Sequence, residues 1–257
     1  MSKINNNVSD IFVKKIEGNM WNILTKNEIV DLWFRSGGSS SRIAFAMSIL
    51  LGKNIVERVA RDVYVVINGS STLDIWKRYW NIVRKLIDLH SPGGGIIGGD
   101  KAIEFHLQNY SIPDILIIYT RNTALRIKLS ENREVHFRTL VSWAKTGKKN
   151  LWRTISDHSI KIDIPEKLDI CGYELALLES LSLRRHDVGI EESSIVRFLR
   201  SYASKINRDA IWLLTRVRYI RPLNRLRILS RDLGYMDLYA MTLEVIRDEG
   251  WGCYLNL

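Results

Sequence analysis

The chain has 257 residues, 38 Lys and Arg against 28 Asp and Glu for a formal net charge of +10, and 46% hydrophobic residues, including eight tryptophans. That length accommodates two or three compact units, and the apolar content supports a real core rather than disorder. No apolar run reaches the roughly eighteen residues a bilayer-spanning helix requires, while the basic excess points to a polyanionic partner.

The first ten residues, MSKINNNVSD, lack the apolar segment of a secretory signal, which implies a cytoplasmic location. Organisation begins at Thr25. Thr25 and Glu28 have the T-x-x-E spacing of a capping box, in which each side chain satisfies a backbone N–H at a helix start. Ile29, Leu32 and Trp33 follow at helical spacing, and Gly37 and Gly38 then permit positive φ. Ser39 or Ser40 is expected to cap a second helix, with Ile43, Ala46, Met47 and Leu50 inward and Ser41, Arg42, Phe45 and Ser48 outward. Two β-branched runs, NIVERV and VYVVI, joined through ARD, predict a hairpin.

Helix, turn, capped helix and hairpin within 45 residues is a winged helix-turn-helix pattern. Such a helix enters the major groove N-terminus first. Ser39, Ser40, Ser41 and Arg42 then lie nearest the base edges or a phosphate, and Phe45 lies one turn on. The hairpin tip offers Arg58 and Arg61 to the DNA backbone or minor groove, and Lys26 and Lys53 add phosphate contacts. Protein docking by a winged helix without nucleic acid is the competing reading.

Residues 71–90 predict a long amphipathic helix through Leu73, Trp76, Trp80, Val83 and Ile87. The run SPGGGIIGGDK follows. Gly93, Gly95 and Gly98 match G-x-G-x-x-G, but a predicted helix and a proline precede them where a dinucleotide fingerprint requires a strand. A phosphate-binding P-loop also fails, because Asp100 precedes Lys101 and Ala102 replaces the Ser or Thr. The run is read as a flexible turn into the helix GDKAIEFHLQNY.

Strands are expected at DILIIYT, ALRIKLS, REVHFRTL and SIKID. The basic loop WAKTGKKNLWR interrupts them. Its Trp143 and Trp152 either pack beneath their own loop or, with Lys145, Lys148 and Lys149, stack on a nucleic-acid strand.

From residue 174 the pattern is helical, with segments over 174–183, 194–204 and 208–217, then PLNRLRILSRDLG and MDLYAMTLEVIRDE. Pro222 falls in a first turn and Gly234 just past a helix end. RRHDVGIEESS breaks the pattern as a linker. Between Arg200 and Arg231, nine basic residues face the single acid Asp209. Arg218, Arg221 and Arg225 share one helical side there, and Arg227 and Arg231 form an i, i+4 pair, so these five make a secondary basic patch unless they are a solvated helical face.

Catalytic chemistry has little footing. The five histidines lack metal-ligand spacing, and Cys171 and Cys253 are too few and too distant for a metal or disulfide framework. The chain is expected to be a non-enzyme without metal or cofactor.

The order of parts carries a resemblance. The winged helix is followed by GGDKAIEFHLQNYSIPDILIIYTRN, then YELALLESL, then LNRLRILSRDLGYMDLY. This resembles the AbiEi-like antitoxins of type IV, abortive-infection toxin–antitoxin systems across nearly the whole chain. The resemblance implies a winged N-terminal domain that binds operator inverted repeats and represses its own operon. It also implies a C-terminal domain that counteracts a nucleotidyltransferase toxin without stably binding it. On this chain the DNA contacts fall to Ser40, Ser41, Arg42, Arg58 and Arg61, with Arg218, Arg221 and Arg225 adding backbone contacts. The helix over 71–90 with its glycine run is a departure from the family pattern.

The expected architecture is therefore α+β: a winged helix-turn-helix over 1–69, a central mixed α/β segment with a small sheet over 70–184, and a C-terminal helical bundle over 185–257. Its partner is double-stranded DNA, bound as a monomer or weak dimer. The alternative is a winged-helix adaptor of a mobile element that binds nucleic acid and a protein partner.

Overall fold

The computed structural model describes residues 2–18, 23–67, 75–139, 151–164, 166–183, 192–217 and 219–251. It is a mixed α+β fold with eleven α-helices and two sheets among those residues. The chain divides into two compact units, Met1–Leu86 with Ile127–Val135, and Ile87–Arg126 with His136–Leu257. Trp143, Lys145, Lys148, Lys149, Arg218 and Cys253 lie outside the described residues.

The first unit begins with α1 (Ser2–Glu17) and β1 (Ile23–Thr25), two elements the sequence reading did not anticipate. Phe12 and Ile16, one turn apart on α1, are fully buried, and Phe12 meets Trp33 edge to face at 5.2 Å. Next come α2 (Lys26–Arg35), a single 3₁₀ turn (Ser40–Arg42), α3 (Ile43–Gly52), β2 (Val56–Ala60) and β3 (Val63–Val66). The sheet runs β1-β3-β2, antiparallel throughout. One core unites it with the helices: Phe12, Ile16, Leu24, Ile29, Trp33, Ala46, Leu50, Ile55, Val56, Tyr64 and Val66.

Local chemistry sets the joints of this unit. The capping box forms as expected: the Glu28 N–H donates to Thr25 Oγ1 at 3.2 Å, and the Thr25 N–H to Glu28 Oε2 at 2.6 Å. Past α2, Gly37 takes φ +88°, and a Cβ on Gly38 would overlap the Trp33 indole. That close approach lets Trp33 Nε1 donate to the Ser39 carbonyl at 2.9 Å, which fixes the turn into α3.

The second unit holds most of a six-stranded sheet, ordered β6-β7-β5-β4-β9-β8. Its strands are β4 (Gly95–Ile97), β5 (Ile115–Thr120), β6 (Leu125–Lys128), β7 (Glu134–Thr139), β8 (Ser159–Ile164) and β9 (Glu166–Cys171). β4 pairs antiparallel with β5 and parallel with β9. The glycine run is therefore not a flexible turn: it contains a buried central strand. A Cβ on Gly95 would come within 2.7 Å of Ile118, and one on Gly98 would overlap the Tyr119 ring. The glycines there serve close packing.

The helices are α4 (Ile75–His90), in which the division between units falls, α5 (Gly99–His106), α6 (Leu151–Asp157), α7 (Tyr173–Leu183), α8 (Glu192–Tyr202), α9 (Arg208–Val217), α10 (Ile220–Asp232) and α11 (Met236–Asp248). α6 takes up Trp152, which was expected in a loop. α7 buries Leu175, Ala176, Leu177, Leu178 and Leu181 completely, as a helix that is apolar on several sides must. It packs against α5, α9 and α10.

Candidate nucleic-acid interface

The residues singled out for DNA contact lie on successive elements of the first unit. Lys26 opens α2, Ser39 to Arg42 form the turn into α3, Phe45 is on α3, and Lys53 follows it. Arg58 is in β2 and Arg61 at the tip between β2 and β3. All nine are exposed. Ala46 and Leu50 bury the opposite side of α3, with Ile43 and Met47 half-buried against the same core.

Two details depart from expectation. Neither Ser39 nor Ser40 caps α3, whose first residue is Ile43. Ser39 precedes the 3₁₀ turn without a side-chain cap bond; its hydroxyl lies 3.1 Å from that of Ser41, and its carbonyl accepts from the Arg42 N–H at 3.1 Å and from Trp33. Second, Arg58 is not at the hairpin tip but within β2, where a bulge between Arg58 and Ala60 breaks the register and Arg58 Nε donates to the Ala60 carbonyl at 3.4 Å. The tip is Arg61-Asp62, with Asp62 left-handed at φ 59°. The Asp62 carbonyl accepts the Lys26 N–H at 2.9 Å, so the tip is tied to the first turn of α2.

The charge around these elements is asymmetric. Glu57 is paired with Arg78 at 2.5 Å and Glu28 with Lys85 at 2.6 Å. Burial pushes the Glu28 carboxyl up, but hydrogen bonds from Lys85 and Thr25 outweigh it and hold the group below its ordinary range. Among the described residues, Lys26, Arg42, Lys53 and Arg58 make no ion pair, and Arg61 approaches only Asp62, at 3.8 Å. Glu57 of β2 and Glu28 of α2 are thus neutralised, Asp31 of α2 stays exposed, and these cations face solvent.

The secondary basic patch does not form as one surface. Arg221 is exposed, and Arg231 is exposed but pairs with Asp232 at 2.9 Å. Arg225 is half-buried and donates to the Leu181 carbonyl. Arg227 is buried, on the face of α10 that also buries Leu223, Leu226 and Ser230. Earlier in the run, Arg208 reaches Asp248 at 2.5 Å and Arg216 reaches Glu249 at 3.4 Å. Acids from α11 and the residue after it offset a run that looks unopposed in sequence.

Polar groups that the sequence did not single out gather inside the second unit. Glu179 accepts from the hydroxyls of both Tyr119 and Tyr219, and all three are buried. Burial, then the Glu179 charge, raise the Tyr119 hydroxyl well above its ordinary value. Burial likewise raises the Cys171 thiol. His106 Nε2 lies 2.8 Å from the Cys171 carbonyl, an acceptor, so Nε2 carries the proton; burial lowers the His106 pKa more than that bond raises it. Lys101, nearly buried, pairs with Glu104 at 2.6 Å and is lowered by burial. These are satisfied interior groups with the geometry of a structural network. Among the described residues, no cluster of three His, Cys, Asp or Glu is placed to hold a metal ion, and no helix is long and apolar enough to cross a membrane.

No family model and no curated protein matches the chain. Among solved structures, it is similar to the Rv2827c protein from Mycobacterium tuberculosis, at 13% identity and a TM-score of 0.65, over 93% of this chain and 80% of that one. At that identity the likeness is one of fold.

Proposed function

We propose that the first unit is a winged helix-turn-helix that binds duplex DNA, with the 3₁₀ turn and α3 presented to the major groove and the β2–β3 hairpin to the flanking backbone. The observation that carries this reading is the set of exposed cations Lys26, Arg42, Lys53, Arg58 and Arg61 on consecutive elements around α3, while the nearby Glu28 and Glu57 are neutralised by Lys85 and Arg78. Cations spaced around an exposed helix start suit a polyanion, since counterion release drives such binding. The resemblance to AbiEi-like antitoxins extends the proposal. The protein then represses its own operon at inverted repeats and counteracts a nucleotidyltransferase toxin, with no catalytic centre or cofactor of its own. The partner gene product need not be held in a stable complex.

Titration of the purified chain against a duplex carrying the sequence upstream of its gene tests the first step. Binding is expected to weaken with salt along a log–log slope of about −4 to −5 if all five cations meet phosphates. A flat salt response, or equal affinity for upstream and random duplexes, contradicts the proposal. Co-expression with the neighbouring open reading frame tests the second step, with rescue of growth as the expected result.

A second reading, an adaptor that docks a protein, is favoured by one observation: α3 exposes Phe45 at 51% and Leu51 at 40%. Footprinting separates the two, since an adaptor leaves no discrete protected repeat.

A further inference from the structure

The solvent-facing stripe of α3 is unusual for a helix surrounded by cations. Its members, at helical spacing, are Ala44, Phe45, Ser48 and Leu51, continued by Ser41 of the preceding 3₁₀ turn, all exposed. Only Arg42, at the very start, brings a donor-rich group. Ser48 has already committed its proton: its Oγ donates to the Phe45 carbonyl at 2.8 Å, leaving no donor for a base. The Ser41 hydroxyl is engaged with Ser39 at 3.1 Å. Beyond the first turn, this stripe has nothing to satisfy a row of base-edge acceptors.

A duplex presents one apolar group in its major groove, the thymine C5-methyl. An apolar side chain over any other base edge covers donors or acceptors and leaves them without partners, which costs affinity. Over thymine it removes a methyl from water instead. We infer that α3 reads thymine methyl groups, with Phe45 the specificity-determining residue and Ala44 widening the apolar contact, next to the base pair that Arg42 meets. The inference rests on the DNA-binding reading above and names what that surface selects. The exposed cations on every neighbouring element favour a polyanion over a protein as the occupant of this stripe.

The test starts from the full-length chain selecting duplexes from a random pool. The enriched duplex is then resynthesised with deoxyuridine in place of every thymine, which deletes only the methyls. The wild-type chain is expected to bind the deoxyuridine form more weakly, by about fourfold for each methyl it covers. Phe45→Ala is expected to bind both forms nearly alike, and Phe45→Leu to keep part of the preference. Because Phe45 is half exposed, neither variant disturbs the core. The deoxyuridine comparison on the wild-type chain needs no variant at all. Equal binding of both forms by the wild-type chain overturns the thymine inference and leaves DNA binding standing. An undiminished preference in Phe45→Ala overturns the assignment to Phe45. Failure to enrich any duplex overturns the DNA-binding reading itself, in favour of a protein docked on α3.

Discussion

At the scale of single residues, the glycines near α3 make opposite demands. A methyl at Gly38 would overlap the Trp33 indole, whose Nε1–H holds the Ser39 carbonyl. Gly38→Ala is expected to cost about 2–3 kcal/mol in urea unfolding, as an overpacked core position does. Gly52, in the last turn of α3, has nothing within 4 Å of its added Cβ. Gly52→Ala is expected to stabilise by about 0.5–1 kcal/mol through helix propensity. Thr25→Ala removes the Oγ1 that accepts the Glu28 N–H, leaving only the backbone bond from residue 25 to Glu28, and is expected to cost about 1 kcal/mol. His106 supplies the pH dependence. Burial depresses its folded pKa, so the unfolded chain binds the proton more readily. Stability from this site is complete above the ordinary histidine value and is lost as pH falls through that value toward the folded one. His106→Gln, which keeps a donor for the Cys171 carbonyl, is expected to flatten unfolding free energy against pH across that window. An unchanged slope would assign the dependence elsewhere. Glu28, also depressed, acts the same way at lower pH, below the ordinary glutamate range.

At the scale of elements, legibility follows how local the determining chemistry is. The capping box and the inward set on α3 sit within one or two turns, and both were readable from residue types. α1 was overlooked because its start, INNNV, has poor helix formers, although Val8, Phe12 and Ile16 already mark a face at i, i+4, i+8. β4 is three residues long between glycines, too short to show alternation, and its strand character comes from β5 and β9 on either side. The arginine run from 200 to 231 misled for the opposite reason: the acids that meet it, Glu244, Asp248 and Glu249, come after it in the chain. Charge patterning in one segment cannot register a partner supplied by another. At the two ends of α3, Arg42→Ala is expected to lower specific DNA affinity by about 1–3 kcal/mol and relax discrimination at one base pair, whereas Lys53→Ala is expected to weaken all duplexes alike and reduce the salt slope by about one.

At the scale of the whole molecule, the two units differ in kind. The first includes a small sheet and three helices, α1 to α3, sharing one core, with cations left to solvent. The second contains an extensive apolar interior, in which Glu179 is satisfied by two tyrosines and Cys171 is sealed from solvent. Truncating either tyrosine hydroxyl leaves a buried carboxylate short of a donor, so Tyr219→Phe is expected to destabilise the second unit by about 1–3 kcal/mol. It should leave DNA affinity intact if recognition resides in the first unit. The most direct measurement of that central claim is a photocrosslink. With a benzoyl-phenylalanine introduced at Ser48, on the outer side of α3, irradiation of the full-length chain with its selected duplex is predicted to yield an adduct mapped to bases within the protected site. A chain that still binds its selected duplex but yields no adduct from residue 48 would contradict the account.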